Sequence, residues 1–175
     1  MNDVLVVVDM QNDFIDGALG TLEAQAIVEP VVKKIRNFQG EILFTRDVHG
    51  KDYLQTQEGK KLPVEHCLQG TVGCALCSEI LGLCNYVNGR IFDKSTFGSV
   101  ELAEHLKKLH EIYPLDSITF VGLCTDICVI SNVLLVKSYL PEVPIIVDSQ
   151  CCAGVTPESH ENALKTMKMC QIEIL

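Results

Sequence analysis

The stretch Thr119-Phe120-Val121-Gly122-Leu123-Cys124-Thr125-Asp126-Ile127-Cys128-Val129 reads as a buried strand running into a helix that carries a thiol, Cys128, in its first turn. Backbone N–H groups at a helix start point outward unpaired, and the helix dipole favours negative charge there. A Cys128 thiolate is therefore expected to be stabilised relative to an ordinary thiol, whose pKa is about 8.5. A free cysteine is equally at home as a small buried hydrophobe, so the chemistry depends on partners. A cysteine nucleophile needs a proton acceptor, a counter-charge, and donors for the oxyanion formed on attack. Asp9 can accept the proton, Lys94 can carry the counter-charge, and the N–H groups of Cys124 and Cys128 can donate. Taken singly, a strand-end Asp also serves as a helix cap and a loop Lys as a solvated charge.

These residues must be brought together by the elements that precede them. Apolar, β-branched runs recur at Val4–Val8, Glu41–Thr45, Ile118–Gly122 and Pro144–Asp148, with a shorter one around Tyr86–Phe92 and a last at Ile172–Leu175. Helical periodicity lies between them: Leu22, Ala26, Val28, Val32, Ile35 and Phe38 form one run, and Val100, Leu102, Ala103, Leu106, Leu109 and Ile112 another. A third helix is expected from near Thr125 to Tyr139. A fourth is expected from Pro157, with Thr156 as N-cap. Alternating strands and helices predict an α/β fold, a doubly wound, mostly parallel six-stranded sheet with helices on both faces. In such a sheet ligands sit beyond the carboxyl ends of the strands, where the winding reverses. Asp9 follows the first strand, Asp47 and His49 the second, Lys94 the third and Cys128 the fourth, so four separated segments converge on one edge.

Composition fits this picture. With 175 residues and 47% hydrophobic content the chain is expected to form one domain, residues 1–175, interrupted by an irregular insertion at about 47–83. A formal charge of −9 without a Lys/Arg cluster speaks against nucleic-acid and anionic-membrane partners, leaving a small molecule as the expected ligand. The chain enters its first strand without a basic leader and has no apolar run of membrane-spanning length, so a cytoplasmic location is expected. In that reducing compartment the nine cysteines, an odd number, stay as thiols.

The motifs Val8-Asp9-Met10-Gln11-Asn12-Asp13-Phe14, Asp47-Val48-His49, Phe92-Asp93-Lys94-Ser95 and Gly122-Leu123-Cys124-Thr125-Asp126-Ile127-Cys128-Val129 give a sharper reading. Through them the chain resembles the family of nicotinamidases and isochorismatase-like cysteine hydrolases over essentially its whole length. The resemblance implies a catalytic triad of Asp9, Lys94 and Cys128, an oxyanion hole from Cys124 and Cys128, and a cis peptide between Leu123 and Cys124. It also implies one divalent metal ion, zinc or else manganese or iron, held by Asp47, His49, Glu58 and His66. Asp47 and His49 share a face in extended chain, and two imidazoles with two carboxylates suit any of these ions. His66 matches through Glu65-His66-Cys67-Leu68-Gln69-Gly70-Thr71, although Glu58 and His66 also read as ordinary exposed loop residues. Gln11, Phe14 and Phe97 would wall the pocket, with Phe14 facing a flat ring and Phe97 equally suited to core packing.

The implied activity is hydrolysis of nicotinamide to nicotinate and ammonia through a cysteine thioester, in NAD salvage. The alternative is a metal-independent isochorismatase-like or other small-amide hydrolase. A homo-oligomer is compatible with the composition. A separate rival concerns Cys67, Cys74, Cys77 and Cys84, which include a C-x-x-C pair and could hold a structural zinc or a local disulfide. They lack the paired pattern of a zinc ribbon.

Overall fold

The computed structural model describes residues 2–175. Six strands, β1 (Asp3–Val8), β2 (Glu41–Asp47), β3 (Arg90–Lys94), β4 (Ser117–Leu123), β5 (Ile145–Ala153) and β6 (Glu173–Ile174), form one sheet in the order β3-β2-β1-β4-β5-β6. Every pairing is parallel. The helices are α1 (Asn12–Ile15), α2 (Leu22–Ala26), α3 (Val28–Asn37), α4 (Gln57–Lys61), α5 (Ser78–Tyr86), α6 (Val100–Ile112), α7 (Ile130–Tyr139) and α8 (Pro157–Met169).

A parallel sheet needs cover on both faces, and the alternation along β1 supplies it. Val4, Val6 and Val8 pack with Leu102 and Leu106 of α6, Val133 and Val136 of α7, and Leu164 and Met167 of α8. Leu5 and Val7 point the other way, into a core with Val31 and Ile35 of α3 and Ile80 and Cys84 of α5. Burying each such aliphatic side chain contributes about 1.5–3 kcal/mol, which fixes β1 as the centre of the sheet. From β1 the chain winds outward to β3, then crosses back to β4 and winds the opposite way, so the reversal lies between β1 and β4. Asp9 leaves β1 and Cys124 leaves β4 on the two sides of that crevice.

Several local expectations are revised. The helical run from Leu22 to Phe38 is two helices, because Pro30 has no N–H to offer the Ala26 carbonyl and is tolerated only in the first turn of α3. The short strand begins at Arg90, not Tyr86. Tyr86 ends α5, and Asn88, in the left-handed region at φ 52°, turns the chain with Gly89 before β3 starts. The insertion itself holds α4 and most of α5, so it is less irregular than its composition suggests. The helix expected from Thr125 opens as a π-helical turn over Thr125–Val129 before continuing as α7. The last helix starts at Pro157 with a capping box in which Thr156 and Ser159 satisfy each other's N–H groups. Among the described residues no helix is long and apolar enough to cross a membrane.

Candidate active site

Asp9 occupies the first position after β1 and lies in the left-handed region at φ 46°, which swings the chain out of the sheet. Its carboxylate is fully buried. Thr45 Oγ1 donates to Asp9 Oδ1 at 2.6 Å, and Lys94 Nζ stands 2.6 Å from Asp9 Oδ2. Lys94 ends β3 as the register partner of Asp47, and its ammonium also lies 3.5 Å from Asp47 Oδ1. On its other side the same ammonium is 3.5 Å from Cys128 Sγ. One buried cation therefore touches the Asp9 carboxylate, the Cys128 thiol and the Asp47 carboxylate of the adjoining cluster.

Burial raises the Asp9 carboxyl above its ordinary range, with the Lys94 charge opposing and the Asp47 charge assisting. For Lys94 burial works against the cation, but the charges of Asp9 and Asp47 outweigh it and push the ammonium up, so it stays protonated. The thiol departs from expectation. Burial and the Asp9 charge push Cys128 well above its ordinary value despite Lys94. The π turn does not override these effects, and the thiol is held in its neutral form. The Leu123-Cys124 peptide is cis. The Cys124 carbonyl accepts from the N–H groups of Ile127 at 3.1 Å and Val129 at 3.0 Å and passes over that of Cys128 between them.

Cys124 and Cys128 line a cavity of about 800 Å3 whose other walls include Phe14, His49, Glu58, His66 and Phe97. Phe14 is buried and tilted against the His66 ring at 5.6 Å between centroids, whereas Phe97 is half exposed at the rim and is not core. Gln11 is not on this wall. Its side chain is fully enclosed and bonded to the Asp47 main chain, Oε1 accepting from Asp47 N at 2.7 Å and Nε2 donating to Asp47 O at 2.8 Å.

Asp47, His49 and His66 bring one ligand atom each within 4.8 Å of one another. His49 Nε2 lies 2.9 Å from Asp47 Oδ2, and Glu58 Oε1 is 3.8 Å from both His49 Nε2 and His66 Nε2. These residues fit a divalent ion. His66 Nδ1 donates to the Val64 carbonyl at 2.8 Å, which leaves its Nε2 as the lone-pair nitrogen facing the cluster. Buried His49 Nε2, close to Asp47 but off hydrogen-bond angle, has no hydrogen-bond partner among the described residues. Contrary to the reading of Glu58 and His66 as exposed loop, His66 is buried and Glu58 faces it.

The cysteine rival is not supported. All nine cysteines are free thiols, and Asp47, His49 and His66 are the only metal-competent group among the described residues. Cys67, Cys74, Cys77 and Cys84 are instead core-filling side chains on the α3–α5 face.

Three contributing residues carried no chemical signal in the sequence. Thr45 alternates inward on β2 like any strand residue. Tyr53 lies in a stretch without periodicity, yet its ring packs 4.7 Å from His49 and 5.0 Å from His66. Asn132, one helical turn beyond Cys128, donates to the Cys128 carbonyl at 2.8 Å and accepts from Ser99 N at 2.9 Å, tying the thiol-bearing turn to the start of α6.

A doubly wound parallel sheet with thiol, ammonium and carboxylate gathered at its switch point, beside a compact metal-competent group, defines a small α/β hydrolase. Residues 3–175 match the isochorismatase domain, and the chain belongs to the isochorismatase family. No curated protein matches it in sequence. Among solved structures it is similar to the pyrazinamidase of Pyrococcus horikoshii in complex with zinc, at 26% identity and a TM-score of 0.80 over 100% of this chain and 99% of that one. The nicotinamidase/pyrazinamidase of Bacillus subtilis is similar at 26% identity and a TM-score of 0.82, with 99% of each chain covered. The Streptococcus mutans pyrazinamidase/nicotinamidase shares the fold, with a TM-score of 0.84 at 24% identity over 99% of this chain and 100% of that chain.

Proposed function

We propose that this protein is a nicotinamidase, hydrolysing nicotinamide to nicotinate and ammonia through a thioester on Cys128. The observation that carries the reading is that one cavity is bordered both by the thiol facing Lys94 and by the His49 and His66 imidazoles with Glu58. The likeness to zinc-bound pyrazinamidase and to nicotinamidase/pyrazinamidase over nearly the full length of each supports the same substrate class.

The chemistry follows from charge states. Asp9 is the base: its Oδ2 makes an ion pair with Lys94 but no hydrogen bond of good geometry, so it is free to take the Cys128 proton. Lys94, always cationic, holds the charge of the thiolate so formed. Cys128 Sγ attacks the amide carbon while the Cys124 and Cys128 N–H groups hold the oxyanion. Asp9 returns the proton to the leaving ammonia, then deprotonates the water that cleaves the thioester. Phe14 offers its face to the pyridine ring. A divalent ion, zinc on the Pyrococcus likeness and otherwise manganese or iron, would be held by Asp47, His49, Glu58 and His66 and supply a Lewis acid for the ring nitrogen. The whole chain acts as one hydrolase domain in which segment 47–83 furnishes metal ligands and part of the cavity wall. Its product suits pyridine-nucleotide salvage, and a cytoplasmic setting suits its free thiols.

The test is ammonia release from nicotinamide by purified protein, with and without chelation and metal readdition, beside Cys128→Ala. Metal-dependent release abolished by that substitution is expected. No release with any of the three metals would move the assignment to another amide or an isochorismate-like substrate.

A further inference from the structure

We infer that Gln11 is a positioning residue for the metal site, acting through Asp47 rather than on substrate. Parallel pairing of β1 with β2 runs to Val7 opposite Phe44. One further contact, Asp9 N to Thr45 O at 3.3 Å, continues it before Asp9 turns the chain away. The next N–H and C=O facing β1 from β2 are those of Asp47, and no β1 backbone is left to meet them. The Gln11 carboxamide takes the place of that missing peptide, its Oε1 accepting from Asp47 N at 2.7 Å and its Nε2 donating to Asp47 O at 2.8 Å. The same Nε2 donates to the Cys74 carbonyl at 2.8 Å, so both amide hydrogens are used and the group cannot rotate without losing buried bonds.

The consequence reaches the site through one residue. With its main chain clamped at both N–H and C=O, Asp47 holds its carboxylate 3.5 Å from Lys94 and 2.9 Å from His49 Nε2. Partners that orient a ligand group shape metal affinity nearly as strongly as the ligands themselves. Cys74 is also fixed by this amide, so Gln11 joins β2 to the segment that carries His66. Asp13, two residues on, accepts from the N–H of Cys67 at 2.7 Å, which holds the neighbour of His66 from the same loop.

The inference rests on the metal reading of the proposed function, and its test separates the two. Metal-free full-length protein is titrated with Zn2+ against a competing chelator, and separately with Co2+ followed by its ligand-field absorption. Wild type, Gln11→Met and Gln11→Glu are compared at a temperature where circular dichroism shows all of them folded. Gln11→Met, similar in shape but without either bond, is expected to bind Zn2+ about 10–100-fold more weakly and to change the Co2+ spectrum. Gln11→Glu keeps an acceptor for the Asp47 N–H and should lose less, and it carries the test should the methionine variant not fold. Variants that unfold more easily but bind Zn2+ as wild type does, with an unchanged Co2+ spectrum, would reduce Gln11 to a core residue and overturn the inference alone. A wild-type protein that binds neither ion overturns the metal reading, and this inference with it.

Discussion

Lys94 and Asp47 end adjacent strands as register partners, and the Lys94 ammonium lies 3.5 Å from the Asp47 carboxylate while also facing Asp9 at 2.6 Å and Cys128 at 3.5 Å. A single enclosed cation thus balances two carboxylates and restrains the thiol. Replacing it with methionine leaves the fully buried Asp9 carboxylate without its counter-charge. Such removal of one partner costs about 3–5 kcal/mol, read as a lower urea midpoint. Without the charge that holds the thiolate, kcat/KM should fall by about 10²–10⁴, the range of a lost acid–base contribution. Near-wild-type turnover in folded Lys94→Met would remove Lys94 from the chemistry.

As the proposed base, Asp9 is expected to set an acid limit on activity. It works as a base only when ionised, and burial raises its pKa above the ordinary carboxylate value of 3.8. kcat/KM must therefore be high above that raised pKa and decline as pH falls through it, at a higher pH than an exposed Asp would give. Thr45 stabilises the ionised form by donating to Oδ1. Thr45→Val removes that bond, raises the pKa further and moves the acid limb to higher pH. A pH profile of kcat/KM for both proteins decides it, and a limb that stays in place would show that another group sets it.

The features legible in the sequence are those set by strand ends. Asp9, Asp47, Lys94 and Cys128 each end or follow a strand with an apolar run, and parallel winding leaves those ends no choice but one edge. The expectation of Gln11 on the pocket wall fails because a sequence motif says nothing of which way a side chain turns once β1 stops. Only the path of β2 shows that its amide has a peptide to meet. The expectation of a stabilised Cys128 thiolate fails for a related reason. A helix start is a local feature that favours the thiolate, whereas enclosure and a facing carboxylate are properties of the packed molecule and outweigh it. Tyr53 has no sequence signature at all, since packing tilted and edge-on against two imidazoles requires only that α4 and its preceding turn fold back over them.

A bound ion should also appear as stability. His49 Nε2 is buried without a hydrogen-bond partner among the described residues, a cost that coordination would relieve. Saturating Zn2+ at about 100 times its Kd should stabilise the protein by about 2.7 kcal/mol, seen as a rise in Tm. His66→Ala removes a proposed ligand and should abolish most of that rise while leaving the metal-free Tm within a few degrees. A metal-induced rise that survives His66→Ala would place the ion elsewhere.

Gly122 tests how the crevice is closed. It pairs with Val8, immediately before Asp9, and sits at φ +113°, where a side chain is strained. A Cβ there would run into the Val8 carbonyl oxygen, which is backbone and cannot swing aside. Gly122→Ala should therefore cost at least the roughly 1–3 kcal/mol of a residue held in an unfavourable backbone region, and more for the push on β1. Because β1 delivers Asp9, kcat should fall in the protein that remains folded. Gly82, on α5, is the control: a Cβ there meets nothing within 4 Å, so Gly82→Ala should gain about 0.5–1 kcal/mol from helix preference and leave kcat unchanged. Equal effects of the two substitutions in urea unfolding would mean that the β1–β4 contact at Gly122 yields without strain, and that Asp9 is not held by that approach.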